Sequence, residues 1–266
     1  MLNLMLMLPT RESVHFQARI KLAKTMAVAF VQHESYYWHD SGLDSYKPWV
    51  QPKPSGESSE SKRRFANLVA SSSALTAALV PLAPRAATDD ELLRFHTDAY
   101  IQRVKAASAL PAGGTLGHEL HVGPRGFEIA ALSAGGVLAA VEAVMDRRVK
   151  RAYALVRPPG HHAEANEGMG FCVFSNVGLA AAHARSRGCQ RVAIVDFDVH
   201  HGNGTQQQFY SDPSVLFISL HQDGLYPLHT GAVHETGDGK GAGYTINIPL
   251  PPGEDRLSVC HTVSAC

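Results

Sequence analysis

A three-layer α/β/α domain with a mainly parallel sheet is the fold that the sequence predicts, on three observations. The runs AYALV (152–156), VAIVDFDV (192–199), VLFISL (215–220) and YTINIPL (244–250) are apolar or β-branched and do not alternate cleanly, so both faces of each strand should be covered. Helix-like stretches separate the strands, and strand–helix alternation marks a parallel sheet flanked by helices. The first three runs lead straight into polar, glycine-containing segments, RPPGHHAE, HHGNGTQ and HQDG. Open α/β sheets bind ligands outside the carboxyl ends of their strands, so these segments should converge on one site.

The opening MLNLMLMLP is apolar up to Pro9, too short to cross a membrane, and no small-residue cleavage site follows it. Residues 1–25 are expected to form a ragged N-terminal extension; a transit-peptide role for the basic stretch 11–24 is the less favoured alternative. Residues 26–266 read as a single domain. QPKPSGESSESK (51–62) is expected as an exposed loop. Thr88-Asp89-Asp90-Glu91 forms a capping box, and two short helices should follow over 89–109. Between Phe127 and Met145 the chain is almost all Ala, Leu, Val, Gly and Ile, which predicts a helix packed on a sheet. A further helix over 176–187 closes at Gly188.

Composition narrows the function. The 266 residues, 45% apolar, suffice for one substantial core. Basic and acidic residues balance at 24 each, so no positive field points to nucleic acid or to a membrane surface. Cys172, Cys189, Cys260 and Cys266 show no CxxC pairing, and a reducing compartment follows: the cytoplasm is expected, with the nucleus left open. Oligomeric state is not addressed by the sequence.

The chemistry concentrates in IVDFDVHHGNGTQ (194–206). Alternation along a strand puts Asp196, Asp198 and His200 on one face as it ends. A carboxylate and an imidazole two residues apart can share a divalent cation, and this donor set suits zinc while also accepting manganese or iron(II). Asp196, one step deeper, is better placed to orient a neighbour. The bland alternative is an Asp–His cluster held as a satisfied hydrogen-bond network. His161 and His162 follow AYALV through the stiff turn RPPG; imidazoles there can take a proton from water and return it to a leaving amine. Each ring needs a partner to fix its tautomer, and Asp196 and Asn203 are the candidates. Gly170 and Phe171 in GMGFCVFSN (168–176) form either one wall of a channel or an ordinary core beneath a helix start, and Tyr226-Pro227 would be the other wall.

These segments, RPPGHHAE, GMGFCVFSN, IVDFDVHHGNGTQ, SLHQDGLYP and YTINIPLPPG, stand in the order found in the zinc-dependent histone deacetylase family. The chain resembles its class II and bacterial amidohydrolase branch, which includes acetylpolyamine amidohydrolases, over residues 26–253. The resemblance implies the arginase/deacetylase-like fold and hydrolysis of an acetylated lysine in a protein, an acetylated polyamine or a similar acylated amine. It implies zinc on Asp198 and His200, with His161 and His162 beside it and His162 as general base. Asp196 would orient His161, and Asn203 would orient His162. Phe171 and Tyr226 would flank the acyl-lysine stem, with Gly170 leaving room. The family's potassium ion would lie against Asp196, Asp198, His200, Ser219 and Leu220.

The sequence also departs from that pattern. Catalytic zinc normally takes three protein ligands, and the family's third, an aspartate in a Gly-Phe-Asp segment, does not occur before Cys266; nor does its oxyanion-stabilising tyrosine or histidine. The ending EDRLSVCHTVSAC shows no helical spacing, so a C-terminally incomplete domain is expected, from a shifted frame or a shortened gene model. An arginase-like dinuclear hydrolase would want a carboxylate at position 202, where glycine stands. The remaining alternative is a catalytically impaired relative acting only as a binding module.

Overall fold

The computed structural model describes residues 3–7, 27–42 and 57–253. The chain divides into two compact units, Pro9–Gly188 and Met1–Leu8 with Cys189–Cys266, here the first and second units. β1 (Asn3–Met7) is part of the second unit.

In the first unit, β2 (Val28–Val31) leads into a 3-10 turn (Glu34–Trp38). There follow α1 (Ser59–Ser71), α2 (Ser73–Ala78) and β3 (Leu79–Leu82), then α3 (Asp89–Leu92) and α4 (Asp98–Ser108). A hairpin of β4 (Gly114–Gly117) and β5 (Leu120–Val122) precedes α5 (Gly126–Met145), β6 (Arg151–Ala154) and α6 (Asn176–Ser186). The sheet runs β3–β2–β6, parallel throughout, with Val28 opposite both Leu79 and Arg151. The predicted capping box is present: Thr88 Oγ1 accepts from Glu91 N–H at 3.3 Å, and Glu91 Oε2 accepts from Thr88 N–H at 2.9 Å. The apolar stretch expected from Phe127 to Met145 is α5, which packs on β2, β6 and α6. Among the described residues it is the one helix long and apolar enough to cross a membrane, and it is mostly buried within the protein. A side chain at Gly135 would meet the Arg85 carbonyl, so glycine there lets segment 85–87 cross α5 closely enough for Ala87 N–H to bond Ala131 O at 2.8 Å.

The second unit adds β7 (Val192–Asp196), α7 (Asn203–Phe209), β8 (Val215–Gln222) and β9 (Thr245–Leu250). Its sheet runs β1–β7–β8–β9, with β7, β8 and β9 parallel and β1 antiparallel to β7. Register aligns Asp196 with Ser219 and Ser219 with Asn247, so three buried polar side chains form one row across the sheet. Residues of β7 and β8 alternate between buried and half-buried and none is exposed, the pattern of strands covered on both faces.

Three local expectations change. β7 ends at Asp196 rather than running to residue 199, because the Asp196 carboxylate takes the Asp198 N–H and turns the chain out of the ladder. Within 51–62, residues 51–56 lie outside the described residues, Glu57 is buried, and Ser58 caps α1, accepting from Glu60 N–H at 3.2 Å. At the N-terminus Asn3–Met7 is a strand rather than a ragged end: the run NLMLM extends along β7 and satisfies its outer edge. Residues 11–24 lie outside the described residues.

Candidate active site

In the first unit, the loop after β6 carries His161 and His162. Both are 1% exposed, with ring centroids 3.9 Å apart. Distant side chains hold this loop. The Pro158 carbonyl accepts from Ser133 Oγ at 2.8 Å and from Asn176 Nδ2 at 3.0 Å, tying the loop to α5 and α6. Buried Arg157 donates through Nε to Glu57 Oε2 at 2.6 Å and through Nη1 to the carbonyls of His39 (2.6 Å) and Tyr36 (3.2 Å). Gly160 lies so close to the Asn176 N–H and the Phe174 carbonyl that no side chain fits. On the far side, His96 Nε2 accepts from Ser175 N–H at 2.9 Å and Nδ1 is 2.9 Å from Glu164 O, which sets its tautomer. Burial pushes the His96 pKa down to about 4 against the opposing pull of the Glu164 and Ala165 backbone.

Gly170 and Phe171 follow in left-handed backbone, φ +52° and +65°. That conformation is strained for phenylalanine and is held from outside, since the two N–H groups donate to His118 O and Glu119 O, each at 3.0 Å, at the β4–β5 turn. Phe171 is half-buried, presented by the loop rather than packed into the core.

In the second unit, the expected shared face of Asp196, Asp198 and His200 is replaced by two successive side-chain turns. Asp196 Oδ1 accepts Asp198 N–H at 3.1 Å, and Asp198 Oδ1 accepts His200 N–H at 3.0 Å. The result still pairs the expected donors, with His200 Nδ1 3.0 Å from Asp198 Oδ1. That is a hydrogen-bond distance, and it is also close to the roughly 3.3 Å that separates two ligands of one tetrahedral zinc, each about 2.0–2.1 Å from the metal. Asp196 is buried, and a side chain at Gly202 would run into its Oδ2. Asn203 opens α7 and is buried, and the Tyr226 ring stands edge-on to His200 at 5.7 Å.

The sequence-predicted residues thus fall into two groups: His161, His162, Gly170 and Phe171 in the first unit, and Asp196, Asp198, His200, Asn203 and Tyr226 in the second. Sequence reasoning passed over Arg157, Glu57, Ser133, Asn176 and His96 around the histidine loop. In the second unit it passed over buried His201, Gln206 and Asn247, which form a knot with half-buried Glu235. Burial pushes the His201 pKa down to about 4, with His221 acting in the same direction. The Glu235 carboxyl is raised by burial but held below its ordinary value overall by hydrogen bonds from Ala232 N–H and Gln206.

A further cluster has no motif in the sequence. Glu91, Glu142 and His183 bring their ligand atoms within 4.8 Å of one another, and by distance alone could hold a metal ion. Arg85 already lies 2.7 Å from both carboxylates, however, and Arg94 donates to His183 Nδ1 at 2.6 Å. The proton of His183 is then on Nε2, 3.2 Å from Glu142. This is an ion network locking α3, α5 and α6 together.

Residues 57–265 match the model of the histone deacetylase domain. The chain belongs to the histone deacetylase family. It is 43% identical over 237 residues to the histone deacetylase-like amidohydrolase of Pseudomonas aeruginosa, covering 86% of this chain and 62% of that protein. It is 40% identical over 186 residues to the chloroplastic histone deacetylase 14 of Arabidopsis thaliana, covering 66% of this chain and 44% of that one. The crystal structure of the HDA15 HD domain superimposes with a TM-score of 0.77 at 34% identity, over 86% of this chain and 64% of that one. The chain therefore has the fold of a histone deacetylase domain and spans less than two thirds of the length of these relatives. That fold agrees with the α/β architecture expected from the strand runs.

Proposed function

We propose that this chain removes acyl groups from lysine side chains, or from similar acylated amines, with water activated by a bound divalent metal ion. The observation that carries the reading is a division of chemistry between two loops: a buried imidazole pair in one, an oxygen–nitrogen donor pair 3.0 Å apart in the other. Asp198 and His200 would hold the ion, zinc being the best match to such donors, and Asp196, Asp198, His200, Ser219 and Leu220 would hold a potassium ion nearby. When bound, the zinc would polarise the acyl carbonyl and lower the pKa of water.

His162 takes a proton from the attacking water and delivers it to the departing amine. On the family resemblance, Asp196 would orient His161 and Asn203 would orient His162, each fixing a tautomer. On the same resemblance, Phe171 and Tyr226 would each flank an acyl-lysine stem, and Gly170 would leave room for it. The substrate is an acetylated lysine in a protein or an acetylated polyamine, in the cytoplasm.

A second reading, an acyl-lysine-binding module without turnover, is favoured by the donor count: the loop offers two ligands where catalytic zinc normally has three. Acetate release from an acetyl-lysine peptide and from an acetylated polyamine, with zinc-loaded protein, separates the two. Turnover that disappears in Asp198→Ala is the expected result; peptide binding with no acetate release would establish the module.

A further inference from the structure

The turn bearing Tyr226 is held by a largely buried polar knot. Gln206, on α7, is its centre: Oε1 lies 2.7 Å from Asn247 Nδ2 and 3.1 Å from His201 Nε2, while Nε2 donates to Glu235 Oε2 at 2.5 Å. Those partners fix which end of the amide is which, since an oxygen faces the donor Asn247 and a nitrogen faces a carboxylate. Each then grips the turn. Glu235 Oε1 accepts Ala232 N–H at 2.9 Å, and Asn247 Nδ2 also donates to Glu235 O at 3.2 Å. His201 donates its backbone N–H to Tyr226 O at 3.1 Å and sets Nδ1 3.0 Å from Thr230 Oγ1. The Thr230 hydroxyl stands between that nitrogen and Pro227 O, 3.1 Å away, and can serve one of them at a time. His221 completes the grip with Nε2 3.0 Å from Gly231 O. At Gly231, with φ +80°, an added side chain would collide with His221 and His201, so the turn packs directly on both rings.

The outward side of the same turn is different in kind. Leu225, Leu228 and Val233 are exposed, so apolar packing does little to fix it. The polar knot beneath reaches the Tyr226 backbone through the His201 N–H, and the Tyr226 ring stands 5.7 Å from that of His200. We infer that Gln206 is a positioning residue that, through His201 and Glu235, fixes the Tyr226 wall and thereby selects the length of acylated side chain that is accepted. This rests on the acyl-lysine reading for its substrate, though not for the anchoring of the turn.

The test uses the zinc-loaded chain, Gln206→Met, which keeps length without hydrogen bonds, and the milder Glu235→Gln, which keeps one acceptor. Amide exchange at His201 reports the anchor, and binding of acetyl-lysine and the shorter-stemmed acetyl-ornithine peptides reports selectivity. Loss of two or three buried hydrogen bonds should weaken acetyl-lysine binding about tenfold in Gln206→Met, with a smaller loss in Glu235→Gln. The preference for acetyl-lysine over acetyl-ornithine should narrow, zinc content should stay unchanged, and His201 exchange should speed up in the same order. A purely structural role would scale both affinities equally; an unchanged preference, or unchanged His201 exchange in a folded Glu235→Gln, overturns the inference. Faster His201 exchange in variants of a protein that binds neither peptide would uphold the anchoring and refute the acyl-lysine reading instead.

Discussion

The two loops that carry the proposed chemistry are built in opposite ways. The His161-His162 loop is fixed from far along the chain, by Ser133 and Asn176 on Pro158 O and by Arg157 reaching Glu57, Tyr36 and His39. The Asp198–His200 loop is shaped by itself: two carboxylates cap N–H groups two residues on. The first loop is sealed, while in the second the His200 side chain is 36% exposed and Phe197 and Val199 stand in solvent. The difference follows from the tasks proposed. A proton-handling pair works only in a set tautomer and a dry setting, which requires a scaffold. Two metal donors need only be neighbours with an open side, and short-range turns achieve that.

If the sealed loop depends on its scaffold, breaking the scaffold should cost the most. Arg157→Met removes a buried guanidinium, leaves Glu57 with Lys62 as its remaining cationic partner and takes the donor from three carbonyls, those of Tyr36, His39 and Glu57, so about 3 kcal/mol of stability should be lost in urea unfolding. A loss below about 1 kcal/mol would mean that the loop is held by something other than its clamps. Acid should act on the same region. His96 has its pKa depressed to about 4 from an ordinary 6.5, so its folded form favours the neutral ring. Its contribution is then complete above about pH 6.5 and lost as pH falls towards 4, by about 3 kcal/mol in all. The pH dependence of unfolding in His96→Gln should be flatter over that window; an identical curve would remove His96 from the account.

Smaller effects sharpen the contrast. His162→Ala should lower any deacetylation rate by about a hundredfold or more, the usual loss for a general base. Full activity in that variant would move proton transfer elsewhere. Ser133→Ala removes one of two donors to Pro158 O, leaves Asn176 in place, and should cost about 1 kcal/mol or less in the same unfolding measurement.

The same contrast explains what was legible. Features whose determinants are local could be read directly: the Thr88–Glu91 capping box, the helix ending at Gly188 with φ +92°, the α5 run, and the crowding of donors in DFDVHHGNGTQ. Where β7 stops was also encoded locally, but the strand pattern masked it, since Phe197 and Val199 continue the apolar run while Asp196 has already turned the backbone. Glu57 reads as loop in the sequence because its buried partner, Arg157, is a hundred residues away, and no spacing rule links them. The Gln206 knot draws on three separate segments, 201–206, the turn at 235 and β9, and no spacing rule joins them either.

The division of labour is tested most directly by counting zinc. Parent, Asp198→Ala and His162→Ala should be loaded with zinc, dialysed mildly and measured by elemental analysis alongside a check of folding. The account predicts that Asp198→Ala loses its zinc while His162→Ala retains the parent's content. Equal zinc in all three, or loss in His162→Ala with retention in Asp198→Ala, would contradict it.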